Sequence, residues 1–198
     1  MIRYENGDVN ALEQIYHLYC NAFPEEERKS FEHLKALISR GKYRLILMHD
    51  QTEVSKTENS IVGFALLYVS VENTFGWLDY IVIDPTSQSK GYGSKLLIYL
   101  KETFKLLLFE VEIPDGIDPN RERRIKYYEN LDAIRLNWEY YLPTPMGGLK
   151  MFLYALGENV TYPAERVKTI MDEALHYIHT DLTQLNEIIK RSRPYEHL

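Results

Sequence analysis

Apolar residues recur along this chain with two periods, and their alternation sketches a mixed fold. A short strand is expected near Ile2 to Tyr4. Leu12, Ile15, Tyr16 and Tyr19 then follow the i, i+3, i+4, i+7 spacing of a helix's inner face, and Asn10 with Glu13 three residues on is placed to cap its start. A second helix is expected after Pro24, where Glu25, Glu26 and Glu27 suit the positive end of a helix dipole, with Phe31, Leu34 and Ile38 turned inward. Tyr43 to Met48, Ile61 to Val69 and Trp77 to Ile83 are apolar and β-prone, the first two joined by the polar hairpin loop QTEVSKTENS. A Gly-containing turn leads to a helix carrying Leu96, Leu97, Leu100 and Phe104. Then come a strand at Leu106 to Glu112, a helix at Arg121 to Leu131, and strands at Ile134 to Leu142 and Leu149 to Leu156 around the turn PTPMGG.

This order, with strands and helices interspersed, is that of an α/β or α+β sheet with helices on its faces. Past Gly157 a helical segment opens at Pro163 and is striped by Val167, Ile170, Leu175, Ile178, Leu182, Leu185 and Ile189, with Thr180-Asp181 placed to cap a break. The reading divides the chain into a unit at 1–157 and a helical extension at 158–198. The stripe needs a partner surface, and the pattern leaves open this chain's own sheet or a second subunit in a homodimer.

Composition narrows the function classes. The 198 residues suit one compact unit, and 45% hydrophobic with 26% charged residues is ordinary for a folded globule. Lys and Arg number 23 against 29 Asp and Glu, a net charge of −6, so no general basic field exists to collect phosphates and nucleic acid is not the expected partner. No run approaches the roughly 20 apolar residues of a membrane span, and the opening MIRYENGD is not the apolar stretch of a secretory signal. A cytoplasmic protein without membrane partners is the expectation. The lone Cys20 agrees with a reducing compartment.

The most informative stretch is Trp77 to Leu97, a strand followed by a Gly-punctuated turn opening a helix. Gly91 and Gly93 remove side chains where a ligand would meet the backbone, and the first amides of the helix have no internal partners, which makes an anion cradle. Lys90 and Lys95 add local positive charge. Two common phosphate motifs fail on spacing: Leu96 stands where a dinucleotide fingerprint needs its third glycine, and a single residue separates the glycines where a P-loop needs four.

Gln88-Ser-Lys-Gly91-Tyr-Gly93, preceded by Ile81-Val-Ile-Asp-Pro85, resembles the Gln/Arg-x-x-Gly-x-Gly/Ala signature of the GNAT acyl-CoA N-acyltransferase superfamily. Ile125 to Leu131 is similar to that superfamily's second signature, with Tyr128 at the position of its Tyr. The order of elements resembles its fold from about residue 2 to 156. Two departures stand out: Asp132-Ala133 replaces the family's Gly-Phe, and Arg121 occupies the place of its helix-start Asn, with Asn120 one residue off.

The resemblance implies a mixed, mostly antiparallel sheet with helices on both faces, and acetyl-CoA as acyl donor with no metal. It places the pyrophosphate on the amides of Gln88, Ser89, Lys90, Gly91, Tyr92, Gly93 and Ser94, and pantetheine along Ile81, Val82 and Ile83 in the manner of an added strand. The acceptor would be a small-molecule or peptide amine, attacking directly in a ternary complex since no nucleophile motif accompanies Cys20. Tyr128 matches the residue that protonates the departing thiolate in relatives. For the base the sequence offers Asp79, Glu110 and Glu112. Strand alternation sets Asp79 on the side of Ile81 and Ile83, and Glu110 beside Glu112; Glu110 and Asp79 are favoured. The rival class is a non-catalytic acyl-CoA sensor or interaction module.

Blander readings sit beside these. Tyr128 is one of 16 tyrosines and would be called core without the glycine turn, with Tyr127 facing elsewhere. The carboxylates are ordinary outward strand residues on this view, Glu25 to Glu27 a solvated helix start, and Cys20 a small residue bordering the apolar stripe. His176 and His179 lack a third ligand for a metal.

Overall fold

The computed structural model describes residues 1–51, 61–72, 74–157 and 163–195. Strands β1 (Ile2–Gly7), β2 (Tyr43–Asp50), β3 (Ile61–Val69) and β4 (Gly76–Ile83) form an antiparallel run; β5 (Leu106–Glu112) joins β4 in parallel, and β8 (Gly147–Gly157) and β7 (Trp138–Thr144) continue antiparallel. Two short strands, β6 (Ile134–Arg135) on β8 and β9 (Arg193–Pro194) on β7, complete the sheet. Helices α1 (Val9–Ala22), α2 (Phe31–Ser39) and α5 (Ala164–Ile178) cover one face, where Leu12, Ile15, Tyr19, Leu34, Leu37, Ile170 and Leu175 meet Leu45, Phe64, Leu66 and Leu108. Helices α3 (Tyr92–Phe104) and α4 (Pro119–Glu129) lie on the other, α3 supplying Leu96, Leu97, Leu100 and Phe104 to a second core. A short α6 (Leu185–Arg191) follows α5 after a break at 179–184, which contains the expected Thr180-Asp181.

Several helix starts differ from the expectation because a better cap competes. Asp8, not Asn10, caps α1: its carboxylate accepts from the Ala11 amide at 2.9 Å. Glu25–Glu27 make only a single 3-10 turn, and α2 starts afresh at Phe31, where the Ser30 hydroxyl accepts from His33 N–H at 3.2 Å. Asp118 caps α4 and Pro119 takes its first turn, so that helix begins two residues before the expected Arg121. The final hairpin turns tightly at Pro145-Met146, because β7 runs on through Pro143 and Thr144. The expected hairpin loop, 51–60, lies outside the described residues apart from Gln51, as do residues 158–162 at the expected division after 157.

The C-terminal stripe is answered within the chain: Val167, Ile170, Met171, Ala174, Leu175 and Ile178 are buried against the same face as α1 and α2. None of the described helices is long and apolar enough to cross a membrane. Removing residues 158–198 would strip that face of a covering helix. The truncated chain is expected to lose cooperative urea unfolding and to bind a hydrophobic dye; a monomer with an unchanged, sharp transition would contradict this packing.

Candidate functional site

The site begins with a parting of strands. β4 and β5 pair only from Gly76–Leu107 to Leu78–Phe109. Beyond that each strand keeps its outer neighbour, β3 for Tyr80 to Ile83 and β8 for Glu110 to Glu112, and the inner edges diverge. Within β4 the partner of Leu67 is Leu78 and that of Leu66 is Tyr80, so Asp79 is the extra residue of a bulge.

That bulge corrects one expectation. Strict alternation would set Asp79 beside Ile81 and Ile83, but the extra residue puts it on the opposite face, with Trp77 and Tyr80. There its carboxylate meets Lys29 Nζ at 3.0 Å and accepts from the Tyr43 hydroxyl, while Lys29 also donates to Tyr80 Oη at 3.2 Å. The Lys29 and Asp79 side chains are only 10% and 6% exposed, so Asp79 is an ion-paired anion within a tyrosine cage rather than a free base.

The bulge also aims the backbone. The Asp84 amide donates to the Val62 carbonyl at 3.0 Å. Two-residue alternation in an antiparallel ladder then turns the backbone groups of Val82 and Tyr80 toward β3, and those of Ile81 and Ile83 toward the gap. Val82 also packs its side chain among the α1–α2 core. Of the three strand residues expected at the cofactor, Ile81 and Ile83 therefore face it.

A groove of about 530 Å³ runs from those two residues across Gln88, Ser89, Gly91, Tyr92, Gly93 and Ser94 to Arg123, Arg124, Tyr127 and Tyr128. Gly91 precedes α3 with φ +75, a conformation a side chain resists, and Ser89 shares it at φ +63. A Cβ on Gly93 would come within 2.8 Å of the Tyr127 hydroxyl, so Tyr127 packs over the turn instead of facing elsewhere. Lys90 lies in the turn but not on the groove wall. Tyr92, which does line the groove, donates its hydroxyl to Asp50. Asn120 contributes its amide to the Asp118 cap and does not line the groove. At the family's Gly-Phe position, Asp132 holds φ +65, the left-handed geometry that a glycine would adopt without strain.

A second cavity, about 570 Å³, opens on the other side of the parting. Asp79, Glu110 and Glu112 line it, with Glu26, Glu27 and Lys29 before α2 and His179, Asp181 and Leu182 after α5. Ile81, Arg124 and Tyr128 line both spaces. Glu110 accepts from Trp77 Nε1 at 3.1 Å and from the Tyr140 hydroxyl at 2.8 Å. Burial first, then the Asp79 charge, push its carboxyl up to about 7, against the lowering effect of those two donors. Glu112 is held by Arg121 at 3.4 Å and by Arg124. Tyr128 packs against Phe109 with the rings tilted by 56° and their centres 4.9 Å apart, and burial raises its phenol to about 12, so it keeps its proton at neutral pH. The acidic turn also meets the cavity: burial, then Glu112 and Glu26, raise the Glu27 carboxyl. Among the described residues no cluster of three or more His, Cys, Asp or Glu is arranged to hold a metal ion.

Residues 12–132 match the family model described as Acetyltransferase (GNAT) family. The chain belongs to the GNAT family. YjbC of Bacillus subtilis (strain 168), assigned as an acetyltransferase, is 31% identical to this GNAT chain over 114 residues, which are 58% of this chain and 53% of YjbC. The match thus spans about half the length of that relative. A GNAT-family protein from Bacteroides thetaiotaomicron, 23% identical, superposes with a TM-score of 0.72 over 89% of this chain and 97% of its own. Arabidopsis thaliana NAA60 in complex with acetyl-CoA, 11% identical, gives 0.60 over 78% and 97%. At these identities the superpositions establish the GNAT fold.

Sequence reasoning missed Lys29, Arg123, Arg124 and the cavity-facing place of His179. The arginines carried a signal, a basic run ERRIK beside Tyr128. Lys29 and His179 carried none, because they reach the cavity from segments far away in the chain.

The raised Glu110 carboxyl has a stability consequence with a definite sign. The folded state binds this proton more tightly than the unfolded chain, so the benefit is complete below the unfolded value of 4.5 and is lost as pH rises through about 7. Glu110→Gln keeps an acceptor for Trp77 and Tyr140 and removes that loss. Urea unfolding should show the variant gaining about 2 kcal/mol more, relative to wild type, at pH 8 than at pH 5; equal effects at both would contradict it.

Proposed function

We propose that this GNAT chain transfers an acetyl group from acetyl-CoA to a primary amine by direct attack in a ternary complex. The observation that carries the proposal is the parting of β4 from β5, which joins an amide-lined groove to an acidic cavity with Tyr128 on both walls. The groove suits the donor. Its Gly91 entry leaves helix amides open to a diphosphate, Arg123 and Arg124 add positive charge, and Ile81 and Ile83 present strand amides to an extended amide-bearing arm. When bound, acetyl-CoA supplies the activated acetyl group as a thioester.

The chain's own residues handle protons and charge. An arriving ammonium must become an amine before it attacks, and Glu110, poised near neutrality at the cavity wall, accepts that proton. Asp79 stays paired to Lys29 and acts on the site through its charge, which helps to raise Glu110. Tyr128 holds a proton at Oη on the boundary, available to a leaving group formed there. Glu26, Glu27 and Glu110 give the cavity the sign that draws a cation, since Glu112 and Asp79 already have basic partners.

Calorimetry with acetyl-CoA, followed by CoA-thiol release across a panel of amines, tests the proposal; binding without transfer to any amine would favour a sensor instead. Tyr128→Phe should lower kcat about 10- to 100-fold with acetyl-CoA affinity unchanged. The pH profile of kcat/KM should rise to a plateau with an apparent pKa near 7, and Glu110→Gln should abolish that limb with a loss of about 100-fold or more. An intact limb in Glu110→Gln would assign the base elsewhere. Gly91→Val, which forces a branched side chain into the turn at φ +75, should weaken acetyl-CoA binding about tenfold in the calorimeter without unfolding the chain.

A further inference from the structure

The family model ends at residue 132, but the acceptor cavity continues beyond it. Its far wall comes from the segment joining α5 to α6, which contributes His179, Asp181 and Leu182. His179 caps α5, its amide donating to the Leu175 carbonyl at 2.9 Å, and the residue is 6% exposed. Its imidazole makes no hydrogen bond among the described residues.

The groups around it are all engaged. Lys29 reaches in from the turn before α2 and is bound to Asp79 and Tyr80. His33, on α2, contacts the Ile178 carbonyl through Nε2 at 2.8 Å, and its Nδ1 lies 3.6 Å from Asp181. Burial, then the charges of Lys29 and His33, hold the His179 imidazole well below its usual pKa, so the ring is neutral. Its ring nitrogens are not among the fully buried unpartnered side-chain atoms of the described residues, so they open on the cavity that the residue lines. A neutral imidazole there presents one donor and one acceptor to whatever occupies the cavity.

We propose that His179 is a specificity-determining residue of the acceptor cavity, hydrogen-bonding a neutral amide or hydroxyl that the acceptor carries beyond its reacting amine. This rests on the acetyltransferase reading above. A cavity of about 570 Å³ has room for more than an alkylamine. An amide or hydroxyl offers both a donor and an acceptor to the ring, which an alkyl chain does not.

The test uses four probes on the full chain: 4-aminobutanamide, 4-amino-1-butanol, n-butylamine and 1,4-diaminobutane. Wild type should favour the first two over n-butylamine about tenfold or more in kcat/KM. His179→Leu should erase the preference by raising KM for those two, with kcat, the KM for n-butylamine and the KM for acetyl-CoA unchanged, and His179→Asn should restore part of it. An equal loss on all four probes, a preference that survives His179→Leu, or a wild-type preference for the diamine overturns the assignment. Should both variants misfold, the His179 ring resonance in wild type decides: it should shift with 4-aminobutanamide and not with n-butylamine, and an unmoved signal overturns the assignment. No transfer to any probe while acetyl-CoA still binds overturns the His179 role and leaves the donor groove standing. No heat with acetyl-CoA overturns the parent reading, and this one with it.

Discussion

An interior strand of a sheet ordinarily hydrogen-bonds on both sides, and an exposed pair of inner edges is a standing deficit of partners. Here β4 and β5 keep that double pairing for three residues and then lose it: past the bulge at Asp79, β4 stays paired to β3 and β5 to β8. The rest of the site follows from this parting. It turns the amides of Ile81 and Ile83 into a gap where an extended amide-bearing ligand can take the place of a strand. It sets the glycine turn at one mouth of that gap and the carboxylates at the other.

The same bulge organises the electrostatics. Moving Asp79 onto the face of α1 and α2 brings it to Lys29 and Tyr43, so its charge is matched locally. Glu110, nearby on β5, receives hydrogen bonds but no cation, and it is the carboxyl whose proton is held to near neutrality. Burial and the neighbouring Asp79 charge, with no cation of its own, set Glu110 apart from the ion-paired Asp79. Arg121 and Arg124 do for Glu112 what Lys29 does for Asp79, which leaves Glu110 as the strand carboxyl with the free proton chemistry.

Much of this was legible in the chain because it is local. The strand at Leu106 to Glu112 was read to the residue, and the glycine turn with its helix was placed from a six-residue pattern whose backbone geometry, φ +75 at Gly91, needs a glycine. Tyr128 was found through its family setting and stands between the two spaces. What failed was what depends on a competition or on distance. Asp8 outcompeted Asn10 as a cap because its carboxylate reaches the Ala11 amide. A single inserted residue reversed the face of Asp79, and no hydrophobic period reports a bulge. Helix spacing turns Tyr127 away from Tyr128, yet Gly93 is small where that ring approaches, a fit visible only once α4 is laid over α3's start.

The C-terminal segment shows how far a site can draw on residues outside the matched family region. Its apolar stripe was readable from spacing, but the stripe said nothing about which surface it covers. Once α5 lies on the face shared with α1 and α2, its end is carried to the cavity mouth, and Lys29 and His33 come to lie beside His179. Packing of the stripe and placement of the imidazole are then one event: the buried leucine and isoleucine contacts that fix α5 also fix the place of His179, which caps it. The apolar anchoring of this helix therefore sets which side chains wall the cavity at that end.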